Sequence, residues 1–579
     1  MSKSKIVIYT VNTHNLMWIF EVITSAFWVI KKRKNTTEVE IVILDDASIS
    51  YTKNLIKHYI KIIYSNLNKY VKNILRKYFF KLIFSKNFFN KLIKFLETPF
   101  NKNSIYNQLL LNKQVVFKYE NIEFIIKKSK FINNHFAILI KLKAYLISFF
   151  IFFYYKLLKT PKKFLNLTFN NNLIGDIIAS TFLRKKPANA GRFKLSITVL
   201  NLLIKVIYYE LHSKYNEDYF SKHTSYIILP EPTYLQVIWK RILVKYGVVA
   251  IETHSYKGKF FLSDKHNSNN PWIAMKKKIT VITEIQKKNI DDFFYTRLNN
   301  PQKIMAYLTD ANSNNNNEKQ IFDLENNSIV FKNTKLDKNK ELVAVIFLHS
   351  FDDAQYCFGI DDFTDLYEWT VYSIESCLAN KEFDKILIKP HPGLDYDIFP
   401  GDKIAFDRLY KKFNNLDKLN FIKRDSSIVY LSQVANVVGL THHGSVAEEL
   451  VYLNQNAIGY VGGMWSDHYK FLHTWDTKDQ YKIIINNFNK NNLIKPSNYE
   501  KECLYNYIIE RKLNAVDLRK YSIRLLLAKK INVFKHWGDF NDYADSWLRF
   551  ENEMQLICND NLFTSKILKV FHDQAELIE

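Results

Sequence analysis

The stretch NVVGLTHHGSVAEEL, Asn436 to Leu450, joins an apolar run ending at Gly439 and Leu440 to the polar residues Thr441, His442 and His443. Gly444 and Ser445 then open a helix. A buried strand that passes into a helix through a short polar turn is a unit of an α/β sheet. Roughly 50 residues upstream, ILIKPHPG (Ile386 to Gly393) ends a second apolar run at Lys389. The chain then breaks through Pro390, His391, Pro392 and Gly393, and two prolines fix the backbone around one imidazole.

Working outward, Leu342 to Leu348, Lys385 to Ile388 and Ala457 to Val461 read as strands, with helices at Asp365 to Ala379 and Ser445 to Leu453. Strands alternating with helices imply a parallel sheet. The same alternation opens the chain: a strand at Lys5 to Thr10, a helix over His14 to Lys34, and a strand at Glu40 to Leu44 ending at Asp45 and Asp46. It resumes with a strand at Tyr226 to Leu229, a helix at Pro232 to Tyr246 and a strand at Val248 to Glu252. The expected division is therefore a first α/β domain over residues 1–335, interrupted by a segment at 51–170, then a second over 336–490. Residues 491–579 read as helices, and the Asn-rich stretch Ala311 to Ser328 reads as a linker.

The chain has 579 residues, 47% hydrophobic, and a net charge of +25. Such a supply of apolar residues excludes global disorder. The charge is concentrated: residues 51–170 hold 23 Lys and Arg against three acids, Glu97, Glu120 and Glu123. Within it, Ile56, Ile60, Ile63, Leu67, Tyr70, Ile74 and Phe79 recur at helical spacing with Lys and Arg between them. Farther on, AYLISFFIFFYY (Ala144 to Tyr155) is flanked by Lys141, Lys143, Lys156 and Lys159. That run is shorter than the roughly 20 residues needed to span a bilayer, so the expectation is a basic helical insertion that lies on an anionic membrane surface. No nucleic-acid-binding motif accompanies the charge.

Four cysteines lie far apart without C-x-x-C spacing, so neither a disulfide framework nor a structural zinc site is expected. The N-terminus runs into a strand without an export pattern, and the expected location is cytoplasmic, peripheral to the inner membrane. The easily recognised motifs of α/β hydrolases, P-loop proteins, dinucleotide-binding proteins and zinc proteases are missing from the sequence.

A His held at a strand's carboxyl end can donate to a phosphate oxygen, and Lys389 beside His391 adds a cation. At the second motif, free N–H groups at a helix start would favour a phosphate, with Gly444 allowing close approach and Ser445 capping the helix or donating its hydroxyl. Glu449, one turn in, would hold ribose hydroxyls. His349, His391, His442 and His443 lie near strand ends but have no carboxylate at ligand spacing, so no metal site is expected. Asp395-Tyr396-Asp397 reads as loop.

Together the KPHP run and the Ser-bearing helix start with its Glu resemble the C-terminal domain of bacterial capsular and surface polysaccharide glycosyltransferases of the GT-B fold. These include the Kdo transferases of capsule assembly and, more distantly, His-Pro-motif sialyltransferases. FLHSFDDA (Phe347 to Ala354) and, loosely, IGDIIASTFLR (Ile174 to Arg184) extend the resemblance. It implies an α/β GT-B fold of two Rossmann-like domains facing a central cleft. It also implies that His391, Pro392, Ser445 and Glu449 contact the donor nucleotide, with Lys389, His443 and Gly444 beside them. The family's usual Ser pair is here Gly444-Ser445, and His443 stands where it could take over the missing hydroxyl's role. No metal and no cofactor are implied beyond the nucleotide-sugar donor itself.

An inverting transfer needs a base on the N-terminal side of the cleft. The candidates are Asp46, His14 and Asp176, with Glu252 a further option. The expected function is transfer of a sugar from a CMP- or UDP-linked donor to a lipid-linked or growing surface glycan at the inner membrane. Two alternatives stand beside it: a polyol-phosphate transferase of teichoic-acid type, and a non-catalytic membrane-bound scaffold.

Overall fold

The computed structural model describes residues 4–11, 36–44, 114–119, 122–128, 134–217, 220, 224–230, 234–254, 259–263, 279–299, 341–353, 355–394, 400–424, 426–465 and 468–513. The first sheet contains β1 (Ser4–Val11), β2 (Thr36–Leu44), β3 (Gln114–Tyr119), β4 (Ile122–Lys128), β5 (Thr224–Pro230), β6 (Val249–His254) and β7 (Lys259–Ser263). Their order is β3-β4-β2-β1-β5-β6-β7. The five inner strands run parallel, and β3 and β7 close the edges antiparallel. In β1, consecutive residues Ile6, Val7, Ile8 and Tyr9 are all buried, as a strand covered on both faces requires.

Residues 114–119 and 122–128 thus belong to the sheet, where a helical insertion over 51–170 was expected. By composition they fall in the acid-poor basic run that reads as a helical insertion. Their β-branched content instead makes an antiparallel pair of strands that sets Tyr119 against Ile122. The basic amphipathic stretch at 53–79 lies outside the described residues. Helices α1 (Asn134–Leu157), α2 (Gly175–Lys185), α3 (Ile197–Lys214) and α4 (Val237–Lys245) share one core with this sheet, built around Phe182, Leu203, Ile207 and Ile238.

Helix α5 (Glu284–Asn299) lies within the stretch assigned to the first domain, yet it packs on the second. Its Phe294 stacks on Tyr452 at 4.0 Å, and Asp291 accepts from the Tyr452 hydroxyl.

The second sheet contains β8 (Leu342–Phe347), β9 (Lys385–Lys389), β10 (Leu419–Phe421), β11 (Asn436–Leu440), β12 (Asn456–Tyr460) and β13 (His473–Trp475). All pairs are parallel, in the order β10-β9-β8-β11-β12-β13. Alternate residues of β8 feed two separate cores, Leu342, Ala344 and Ile346 on one face and Val343, Val345 and Phe347 on the other. Helices α6 (Leu366–Ala379), α7 (Pro400–Phe413) and α10 (Lys478–Asn487) cover the first face. The second is covered by α5, α8 (Ile428–Val434), α9 (Val446–Tyr452) and α11 (Asn498–Ile508). This is the doubly wound Rossmann-like order, and its direction reverses between β8 and β11. The chain therefore carries the two parallel-sheet α/β domains that the GT-B resemblance implies.

The domains meet through the loop that follows β8. Asp365 caps α6 through the Glu368 amide, while its second oxygen accepts the Phe193 N–H of the first domain at 2.9 Å. Lys162 pairs with Asp362 at 2.8 Å, and the Arg192 guanidinium lies 5.4 Å from the Tyr367 ring centre.

Candidate functional site

Because the strand order reverses between β8 and β11, the crevice of this sheet opens where those strands end. His349 stands two residues past β8, His391 two residues past β9, and Thr441, His442 and His443 directly follow β11. These three strands are neighbours, with β8 in the middle. The fold therefore gathers four imidazoles that are spread over 95 positions of sequence.

His349 is the buried centre of the group. Its Nε2 accepts the amides of His442 at 3.0 Å and His443 at 3.4 Å, and lies 3.0 Å from the Thr441 hydroxyl. A nitrogen that accepts an amide carries no proton, so the proton of this neutral ring sits on Nδ1. Burial, then the positive charge that His442 or His391 would bring, holds its pKa well below the ordinary 6.5. The Gly444 amide in turn donates to Thr441 Oγ1 at 3.0 Å. The amides of residues 442–444, expected to be free for a phosphate, are thus turned inward onto His349 and Thr441. Gly444 is required here, since a Cβ would lie 2.5 Å from Thr441 Oγ1.

Asp361, from the loop between β8 and α6, makes a short contact with His442 Nε2, and His442 Nδ1 lies 2.8 Å from His443 Nδ1. A carboxylate accepts, so His442 donates to it through Nε2 and receives the His443 Nδ1–H on its other nitrogen. The result is an Asp–His–His chain in which a proton taken up at His443 Nε2 is stabilised by the Asp361 charge through His442. Phe358, three residues before Asp361 in the same segment between β8 and α6, stacks on the His443 ring at 4.1 Å. An aromatic face against an imidazolium is favourable.

His391 is set differently. Its Nδ1 accepts the Gly393 amide at 3.1 Å, which leaves Nε2–H as a donor. Burial and the neighbouring Lys389 lower its pKa to about 4, so at neutral pH it donates without carrying charge. Lys389 itself donates to the Arg424 carbonyl, and the Pro392 carbonyl accepts from Arg424 at 3.5 Å.

Ser445 occupies the N-cap position of α9 but makes no side-chain cap. Its Oγ accepts from Arg297 Nη2, and Glu449 pairs with Arg297 Nε at 2.7 Å. The Arg297 side chain reaches this point from the last turn of α5 and is 7% exposed. Neighbouring Glu448 is fully buried and held by the Tyr507 hydroxyl at 3.0 Å and by Lys512 at 3.2 Å. The two residues expected to grip a nucleotide are therefore already engaged by a basic side chain that no local pattern places here.

Of the proposed bases, His14 and Asp46 lie outside the described residues, as does Asp395-Tyr396-Asp397. Asp176 lies in the first turn of α2, buried, with both oxygens forked by Arg241 at 2.8 and 2.7 Å. It also accepts the Ile177 amide, so its carboxylate serves as an internal ion pair. Glu252 lies in β6. Asp361 and Arg297 were missed by sequence reasoning. Asp361 had one signal, its position in an acidic loop after β8; Arg297 had none.

Among the described residues, no group of three or more His, Cys, Asp or Glu side chains is placed to hold a metal ion. No family model and no curated protein matches the chain. Among solved structures it is similar to an α,α-trehalose 6-phosphate synthase from Burkholderia multivorans, at 9% identity and TM-score 0.28 over 91% of this chain and 100% of that one. A Methanocaldococcus jannaschii UDP-GlcNAc 2-epimerase in complex with UDP-GlcNAc and UDP gives 12% identity and TM-score 0.24, over 70% of this chain and 94% of the other. An E. coli trehalose-6-phosphate structure bound with UDP-2-fluoro glucose gives 8% and 0.25, over 90% and 98%.

Proposed function

We propose that this protein is a glycosyltransferase that takes a nucleotide-activated sugar and passes it to an acceptor at a membrane surface. The observation that carries the reading is the convergence of His349, His391, His442 and His443 at the carboxyl ends of β8, β9 and β11, around the reversal point of the sheet. Open α/β sheets bind ligands at that point. Imidazoles with Asp361 behind them suit the diphosphate or monophosphate of a departing nucleotide.

In this reading His391 donates a neutral Nε2–H to a phosphate oxygen. His443 holds or supplies a proton as negative charge develops on the leaving group, and Asp361 stabilises the charged ring through His442. Arg297 fixes Ser445 and Glu449 so that the turn from Thr441 to Ser445 keeps its shape, and the family resemblance assigns Glu449 to the nucleotide. The base that takes the acceptor's proton comes from the first domain, where His14 and Asp46 follow β1 and β2. Further parts of the proposal are a CMP- or UDP-linked donor, a lipid-linked or growing surface glycan as acceptor, and a cytoplasmic position peripheral to the inner membrane. No metal or cofactor enters the proposed reaction, and no nucleic acid is a proposed partner.

The test is the thermal shift of the purified protein with CMP, CDP, UDP and GDP, for wild type and His391→Ala. A ligand that binds only the folded state raises its stability. One nucleotide giving a shift that disappears in His391→Ala supports the reading and identifies the donor class. A well-folded sample that responds to none of them refutes it. A donor panel that includes CDP-glycerol separates sugar transfer from the polyol-phosphate alternative.

A further inference from the structure

Helix α1 is apolar on two opposite faces. One is used internally: Ile140, Ala144 and Phe152 are buried in the first domain's core, and α1 packs along α3. The other is not. Leu139, Leu142, Leu146, Phe150, Phe153 and Leu157 follow one another at intervals of three and four residues, which aligns them in a single stripe. They are 61%, 43%, 62%, 72%, 40% and 80% exposed. At 1.5 Å per residue the stripe is roughly 27 Å long. Isolated surface leucines are ordinary, but a continuous row of six large apolar side chains marks an interaction surface.

The surrounding charge selects the partner. From Phe124 to Gly175 the chain has nine lysines and no Asp or Glu. Lys143 is exposed within the stripe, and Lys156 and Lys159 are exposed at its C-terminal end. A second copy laid against the stripe would bring like charges together. An anionic lipid surface would instead take the leucines and phenylalanines into the headgroup boundary while the lysine heads meet phosphate. No helix among the described residues is long and apolar enough to cross a membrane, so the stripe lies along the surface.

We propose that the outer face of α1, from Leu139 to Leu157, is the membrane-docking surface of this protein and binds anionic phospholipid. This deepens the membrane part of the function proposed above and is independent of its donor part, because vesicle binding requires no nucleotide. Docking through α1 would hold the first domain against the bilayer, on the side from which a lipid-linked acceptor must come.

The experiment is co-sedimentation of the full chain with phosphatidylcholine vesicles, with and without phosphatidylglycerol. Wild type is expected to bind the anionic vesicles preferentially, and salt should weaken the binding. The double variant Leu146→Ser/Phe150→Ser should bind at least about tenfold more weakly at unchanged melting temperature, since it removes apolar area from solvent-facing positions only. Lys143→Glu/Lys156→Glu should lose the preference for phosphatidylglycerol. Wild-type binding that the Ser variant retains would overturn the assignment of this face. A concentration-dependent dimer that the Ser variant abolishes, without vesicle binding, would assign the stripe to a second copy and also overturn it. Vesicle binding without any nucleotide shift would leave this proposal standing and refute the donor reading.

Discussion

Arg297 and Glu449 are 152 positions apart in sequence and form an ion pair of 2.7 Å at the start of α9, with the Ser445 hydroxyl bound to the same guanidinium. The pair lets α5 set the shape of the turn that carries His442 and His443. Burial by itself would lower the guanidinium pKa. The adjacent Glu449 and Glu448 charges outweigh it and raise the guanidinium pKa further.

Removing one partner of a buried pair leaves the other charge uncompensated. Arg297→Met is therefore expected to destabilise the second domain by about 3–5 kcal/mol, with Glu449 and Ser445 both left without their donor. Arg297→Lys should recover part of that, because a single ammonium reaches one partner but not the fork. Urea unfolding of the three proteins measures it, and a loss below about 1 kcal/mol for the Met variant would show that the pair does not hold this turn.

The stability of the protein between pH 4 and 7 is expected to be a balance of opposing titrations. His391 and His212 are lowered from 6.5 to about 4, in both cases chiefly by burial. The unfolded chain then binds protons that the folded one does not, so their contribution is present above pH 6.5 and is lost as pH falls toward 4. Asp402 is raised by burial from 3.8 to about 7, and Asp365 to about 6. Here the folded state holds the extra proton, and the contribution is lost as pH rises from about 4 to about 7. Denaturation curves across this window should show His391→Asn with a shallower fall on the acid side. Asp402→Asn should show a smaller decline toward neutral pH.

The Asp361–His442–His443 chain predicts a nucleotide response that depends on a residue expected to touch no nucleotide. Asp361→Ala is expected to weaken nucleotide binding about tenfold, since the charged form of His443 loses its stabilising partner. The pH dependence of binding should shift to lower pH at the same time. Titration calorimetry at several pH values tests this, and an unchanged pH dependence would remove His443 from the proposed role. Nitrogen-15 spectra of the histidines should independently show His349 protonated at Nδ1.

Gly191 joins the domains in a conformation that other residues resist. Its φ is +70°, and a Cβ would lie 2.4 Å from the Phe351 Cβ. Gly191→Ala is expected to cost about 1–3 kcal/mol through overpacking, added to the left-handed strain. A melting temperature equal to wild type would show that this contact yields easily.

What the sequence determined by itself was the alternation of elements. Strands buried on both faces read as continuous apolar runs, and the Pro and Gly turns after β9 and β11 placed His391 and His443 at strand ends. Those are local patterns, set by burial and backbone stiffness within a few residues. The strand order, the pairing of Arg297 with Glu449 and of Asp361 with His442, and the inward turn of the amides at 442–444 were decided only by tertiary structure. Each joins groups 81 or more positions apart or depends on which neighbour fills a hydrogen bond. Strands β3 and β4 show the same limit from the other side. The basic run that contains them reads as a helical insertion, and only the open edge of β2 makes a strand the better partner for their backbone.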